Sequence, residues 1–368
     1  MKPRLYFEET HELSALPADR RRELAEAPPE PVENERLETE LGLFDKVEAR
    51  PPPERRARPR ELRVVSWNLE RGRFLVPAAG LLARSGADVV LLSEMDAGMA
   101  RSEQHHTTRV LAQSLGHGYA YGVEFLELGL GRPEERARCA GQENALGLHG
   151  SAITGGHPLL RPAVVRLDAG GHWLDGSRGE ARVGGRIAVL ATVRAGGADV
   201  TFASVHLESH SDPGHRGKQM EVLLEAIEAY APGGPAVIGG DLNSLSMPTA
   251  HLADAEKLRE ALAEDPERLL RPERHEPLFE HARAAGFSWR ASNVLGEGSV
   301  RRVAAEGSRR VPVRLDWLLV RGLSCSDPAV LDATDLATGG TLSDHEALAV
   351  TVRPPAQALP QVRPGSSG

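Results

Sequence analysis

Eight residues stand where apolar runs give out, and each carries a group able to bind a cation, move a proton or hold an anion. VVSWN closes on Asn68, VVLLSE on Glu94 and TFASVH on His206. AVIGGDLN closes on Asp241 and Asn243, VRLD carries Asp316, and TLSDH sets Asp344 and His345 before a final apolar stretch. If these ends meet at one rim, they gather four carboxylates, two imidazoles and two amides. Carboxylates that close repel and drive one another towards protonation. A hard divalent cation removes the conflict. Oxygen donors of Asp, Glu and Asn suit magnesium (Mg2+), with manganese (Mn2+) second, rather than zinc. Magnesium takes only one or two protein carboxylates, which leaves the remaining groups for proton transfer and oxyanion contacts. That inventory serves in-line attack of water on a phosphorus ester.

The elements that must position these groups alternate along the chain. RVVSW has strand composition. VPAAGLLARSG has helical spacing and a capping Gly86. ADVVLLSEM is a continuous apolar run suited to a strand buried on both faces, and TTRVLAQSLG is a second helix ending in Gly. Residues 117–150 read as a Gly-rich loop, followed by a short strand in SAITGGHPL. The two apolar runs around AGGAD at 186–208 form a hairpin. A helix over 216–231 has apolar residues at 220, 223, 224 and 227. A strand at 235–244, an acidic helical stretch at 252–264 and two last strands at 313–320 and 345–352 follow. Hairpins mixed with crossovers favour two sheets with helices outside over one doubly wound parallel sheet.

Residues 1–60, rich in Glu, Arg and Pro, read as a charged arm, with a short charged helix in ADRRRELAEA at 18–27 and the rest extended or weakly ordered. Residues 61–354 read as the catalytic domain, and the Pro- and Gly-rich 355–368 as a disordered tail. The net charge of -8 and the 4% of aromatic residues weigh against a sliding, base-stacking nucleic-acid binder. Cys139 and Cys325 give no metal spacing or disulfide framework. No signal peptide and no run of about 18 apolar residues occurs, so a monomeric cytoplasmic protein away from the membrane is expected.

SWNLE, LLSEMD, SVHLE, GGDLNS, RLDWLLV and LSDHEAL occur in the order seen in the endonuclease/exonuclease/phosphatase superfamily, the DNase I-like group, and the similarity spans about residues 63–353. The resemblance implies a four-layer α/β/β/α sandwich and a divalent-metal-dependent phosphoester hydrolase. Its implied metal shell is Asn68, Glu94 and Asp344. Asp241 would orient or deprotonate water, while Asn243 and His206 would contact the phosphate. His345 would act at the scissile group with Asp316 setting its tautomer. Glu70 falls where some members carry an acid and ranks lower. Outside the motifs, Arg216 and Gln219 open the helix after SVHLE, where they either face the site, Arg216 then binding substrate, or form a solvated helix start. His149 and Ser151 are weaker candidates for a substrate contact. The substrate is a phosphoester, either nucleic acid or a small phosphodiester. A nuclease proper and a non-catalytic binding protein on the same fold are the alternatives. The basic run 301–314 is either a phosphate-tracking loop or a solvated one.

Overall fold

The computed structural model describes residues 4–355 apart from 27–29, 55, 168–172, 178, 253 and 304–309. Two apolar runs form its centre: β4 (Leu62–Arg71) and β5 (Val89–Ala97) pair in parallel, as runs buried on both faces tend to do. They belong to a nine-stranded sheet. Its order is β16 (Ser324–Leu331), β17 (Ala347–Arg353), β4, β5, β7 (Leu148–Gly155), β6 (Gly118–Glu127), β3 (Lys46–Arg50) and β2 (Glu8–Thr10), with β9 (Arg182–Gly184) also on β6. The second sheet runs β1 (Arg4–Tyr6), β8 (Leu160–Arg166), β10 (Ile187–Ala195), β11 (Ala198–His206), β12 (Ala236–Asp241) and β15 (Asp316–Arg321).

The two sheets repeat one pairing pattern. A parallel pair, β4–β5 or β12–β11, is flanked by an antiparallel strand on each side. The two halves of the chain thus mirror each other in strand pairing. Val64, Leu91, Ile153, Val189, Phe202, Val237, Leu318 and Val350 fill the space between the sheets. Each such buried side chain stabilises the fold by roughly 1.5–3 kcal/mol. Helices α3 (Leu75–Arg84) and α4 (Thr107–Leu115) cover the larger sheet. Helices α6 (Pro213–Tyr230) and α9 (Pro277–Ala284) cover the smaller. The architecture is the expected four-layer α/β/β/α sandwich. Shorter helices α1 (Ala18–Ala25), α2 (Pro31–Leu41), α5 (Pro133–Arg138), α7 (Thr249–Leu252) and α8 (Ala255–Glu264), with the hairpin β13 (Val300–Val303) and β14 (Arg310–Val313), lie around it.

Three expectations need correcting. The segment before residue 60 is not a weakly ordered arm. β1 pairs with β8 in one sheet, β2 and β3 extend the other through β6, and Leu24 and Leu37 are buried. Its strands are short and charged, as edge strands tend to be, so they read as coil. Residues 117–150 are not all loop, because GYAYGVEFLE forms β6 and is buried throughout. Its second glycine is needed for packing: a Cβ on Gly122 would lie 2.8–3.0 Å from Val164, Ile187 and Val189 of the facing sheet. Finally, β16 intervenes between the two strands expected to be last. The tail from 356, and residues 304–309 of the basic run, lie outside the described residues.

Candidate active site

Strand register carries the site residues to one end of the sandwich. In the smaller sheet His206 lies opposite Asp241, and Asp241 opposite Asp316, across three adjacent strands. The close approach requires glycine at position 240: φ is +156° and a Cβ would lie 1.7 Å from the Val205 carbonyl oxygen. In the larger sheet, ladder pairing breaks between Asn68 and Arg71 on β4 and between Leu92 and Met95 on β5. Such bulges re-aim side chains. Glu70, Arg71, Glu94, Asn243 and Ser246 all have positive φ. The backbone strain, of order 1–3 kcal/mol for each residue, therefore collects around the same rim.

Asn68 joins the two sheets. Its Nδ2 donates to Glu94 Oε1 at 3.1 Å and to Asp241 Oδ2 at 3.2 Å, while its Oδ1 accepts from the Glu70 amide. Asp241 Oδ2 stands 3.6 Å from the Nε2 of both His206 and His345. The Asn243 N–H donates to Asp241 Oδ1 at 2.9 Å, and the Asn243 Nδ2 donates to the Leu207 carbonyl. His345 Nδ1 lies 2.8 Å from Asp316 Oδ2. Asp316 is held in turn by Ser299, whose Oγ accepts from the amides of Leu315 and Asp316. Ser343 Oγ donates to the Asn68 carbonyl and accepts from the His345 amide, and the Trp67 indole donates to the His345 carbonyl. Asp344 is the exposed member, its side chain 63% accessible at the mouth.

Charge states diverge within this cluster. Burial works against a proton on His345, but Asp316 and Asp241 outweigh it and hold the imidazole well above its usual range. Burial and the Arg186 guanidinium push His206 down to about 3. Burial also opposes ionisation of Glu94. Arg71, 3.9 Å from its Oε2, leads the groups that nonetheless keep it well below the usual carboxylate range, the Asn68 amide among them. Asp344 is raised by partial desolvation together with Glu94, Glu70 and Asp241.

The eight expected residues thus converge, with two adjustments. Asn68 offers its NH2 rather than its oxygen to the carboxylates, so oxygen donation to a cation requires the amide to turn over. Asn243 spends one amide hydrogen on Leu207 and supports Asp241 directly. Arg216 is a correction. It is fully buried, with Nε and Nη2 on Glu276 at 3.1 and 2.5 Å and further bonds to the Ser211 and Met247 carbonyls. It ties the start of α6 to the loop after Asn243, with its guanidinium turned to Glu276 inside the protein. Gln219 is likewise buried and accepts from the Glu208 amide. His149 and Ser151 are buried too. His149 bonds Asp96 at 2.8 Å inside a network with Arg71 and Arg101. Ser299, Ser343, Arg71 and Arg186 escaped sequence reasoning. Only Ser343, inside LSDH, carried any signal.

Among the described residues, Asp241, Asp316 and His345 bring one ligand-type atom each within 4.8 Å of one another. Asp316 and His345 are already joined to each other through Oδ2 and Nδ1. Desolvation, with Glu94, Glu70 and Asp241, raises Asp344, and such a set of hard oxygen donors is one that a divalent cation suits.

The family model for the endonuclease/exonuclease/phosphatase family matches residues 65–345. Among solved structures, an endonuclease/exonuclease/phosphatase from Beutenbergia cavernae DSM 12333 is 19% identical, covering 80% of this chain and 72% of that one with a TM-score of 0.53. A functionally unknown conserved protein from Enterococcus faecalis V583 is 14% identical, covering 80% and 100%, with a TM-score of 0.52. The endonuclease/exonuclease/phosphatase from Bacteroides vulgatus is 13% identical, covering 80% and 99%, with a TM-score of 0.50. No curated protein sequence matches. At these identities the structures share the fold.

Proposed function

The chain belongs to the endonuclease/exonuclease/phosphatase family, and from that membership and the geometry of its site we propose a divalent-metal-dependent hydrolase of phosphodiester bonds. One observation carries the reading: a single carboxylate oxygen, Asp241 Oδ2, stands equidistant at 3.6 Å from two imidazoles, one with its pKa depressed by burial and Arg186 and the other raised by Asp316 and Asp241. Glu94 and Asp344, with Asn68 once its amide turns over, would hold the cation, Mg2+ or Mn2+. When bound, the cation supplies charge neutralisation for the phosphate and the departing oxygen.

The chain's own groups supply the rest. Asp241, fixed through its other oxygen by the Asn243 amide, orients the attacking water and accepts its proton. His345 carries a proton on each nitrogen: Asp316 takes the one on Nδ1, and Nε2 presents the other to a phosphate oxygen. His206 adds a neutral N–H donor. Charge developing on the phosphoryl oxygens thus meets preorganised donors in a largely buried site.

The test is hydrolysis of bis(p-nitrophenyl) phosphate with millimolar Mg2+ or Mn2+. Wild type should turn over, and Asp241→Ala and His345→Ala should lose about 10²- to 10⁴-fold, the usual scale for acid–base groups. Equal rates in wild type and both variants would remove the enzyme reading and leave a binding protein. A panel of plasmid DNA, abasic DNA, RNA, sphingomyelin and inositol phosphates then separates nuclease from small-diester specificity.

A further inference from the structure

We propose that Arg186 is a positioning residue that locks His206 in its neutral Nε2–H tautomer. The proposal rests on the catalytic reading above, because it assigns a state to one of that site's imidazoles.

Arg186 stands one residue before β10 and is buried. Its Nη1 donates to Glu124 Oε1 at 2.9 Å and lies 3.1 Å from His206 Nδ1. Its Nε donates to Glu208 at 3.2 Å and its Nη2 to Ser209 at 3.3 Å. The Phe125 and Trp173 rings lie 5.4 and 5.6 Å from its Cζ. Two carboxylates, a hydroxyl and two rings therefore fix the guanidinium where it meets the imidazole.

A guanidinium has donors and no acceptor. A proton on His206 Nδ1 would point at another N–H, so Nδ1 must present its lone pair. The ring proton then sits on Nε2, which faces Asp241. His345 has the opposite arrangement, because its Nδ1 meets the Asp316 carboxylate, which can only accept. One guanidinium and one carboxylate thus give two histidines at equal distance from the same oxygen different states. His345 carries its proton on Nδ1 towards Asp316, and His206 is an Nε2–H donor with a bare Nδ1.

Nitrogen-15 NMR of the imidazoles in the full-length protein at neutral pH, with His206 assigned through His206→Asn, tests this without reference to turnover. Wild type should show His206 protonated on Nε2 and bare on Nδ1. Arg186→Met removes the donor facing Nδ1 and leaves a carboxyl oxygen of Glu124 3.9 Å away, so a protonated Nδ1 should appear. Arg186→Lys, still a donor, should restore the wild-type pattern. In bis(p-nitrophenyl) phosphate hydrolysis, Arg186→Met should lower kcat about 10²- to 10³-fold, the scale for losing one preorganised donor, with KM little changed and partial recovery in Arg186→Lys. If Arg186→Met does not fold, Glu124→Gln serves. Arg186 remains anchored by Glu208, so the His206 signals should not move. A wild-type Nδ1–H, an unchanged tautomer in Arg186→Met, or a switch in Glu124→Gln overturns the proposal. An inactive wild type with the expected spectrum overturns only the catalytic reading.

Discussion

Replacing Asp316 by Asn removes one charge and almost no volume. In the native protein Asp316 Oδ2 meets His345 Nδ1 at 2.8 Å, with both residues buried. Asp316 Oδ1 is buried without a hydrogen-bond partner among the described residues. In the variant the amide oxygen must turn to His345, which leaves the new NH2 in that partnerless position. An unsatisfied buried donor costs about 1–3 kcal/mol, and exchanging a charged for a neutral hydrogen bond about 1 more. The expected loss is therefore about 3 kcal/mol at pH 6. The two parts respond differently to pH. His345 has a raised native pKa, so its contribution is full below the unfolded imidazole value of about 6.5 and is lost as pH rises through the native value. The NH2 penalty does not titrate. Urea unfolding should show the midpoint of Asp316→Asn falling by about 1 M at pH 6, taking a slope of about 3 kcal/mol/M, and by less under alkaline conditions. A midpoint difference that stays constant or widens with pH would refute the ion-pair account and assign the effect to shape alone.

The cation reading predicts a stability linkage. Wild type should gain about 2.7 kcal/mol when Mg2+ is at 100 times its dissociation constant, and calorimetry should show that rise in Tm abolished in Glu94→Gln. Arg216→Ala removes half of a buried pair and should destabilise by about 3–5 kcal/mol. Its hydrolysis rate per folded molecule should stay within about threefold of wild type, the scatter of context-dependent effects remote from chemistry; a selective loss of rate would return Arg216 to the substrate site.

The site was legible in the sequence because its residues terminate apolar runs, and a strand ending in Asp or His is a local signal. The converging strand ends were readable, and so were helix α6 with buried Met220, Leu223, Leu224 and Ile227 and the hairpin turning at Gly196–Gly197. What depends on distant partners was not. Arg216 meets a carboxylate 60 positions away, and Arg186 meets Glu124 at a separation of 62. Nothing in either local sequence reports those encounters. Strand β16 was hidden by Pro328 and a register shift between Ser326 and Ala329, both habits of an edge strand. Strand β6 was hidden by Gly118, held against the backbone at Arg50–Pro52, and by Gly122, whose reason lies in the opposite sheet.

The first 50 residues have a consequence for any shortened form of the protein. β1 occupies the outer backbone of β8, and β3 that of β6 from Tyr119 to Gly122. Removing residues 1–60, at the boundary that composition suggests, would leave both ladders with unpaired N–H and C=O groups. Exposed backbone of this kind templates pairing between copies. The truncated protein should therefore aggregate, by light scattering, under conditions that keep the full chain dispersed, and adding a peptide of residues 1–60 should reduce it. In this sense the segment acts as a guard against self-association, a duty that its charge and lack of apolar pattern conceal.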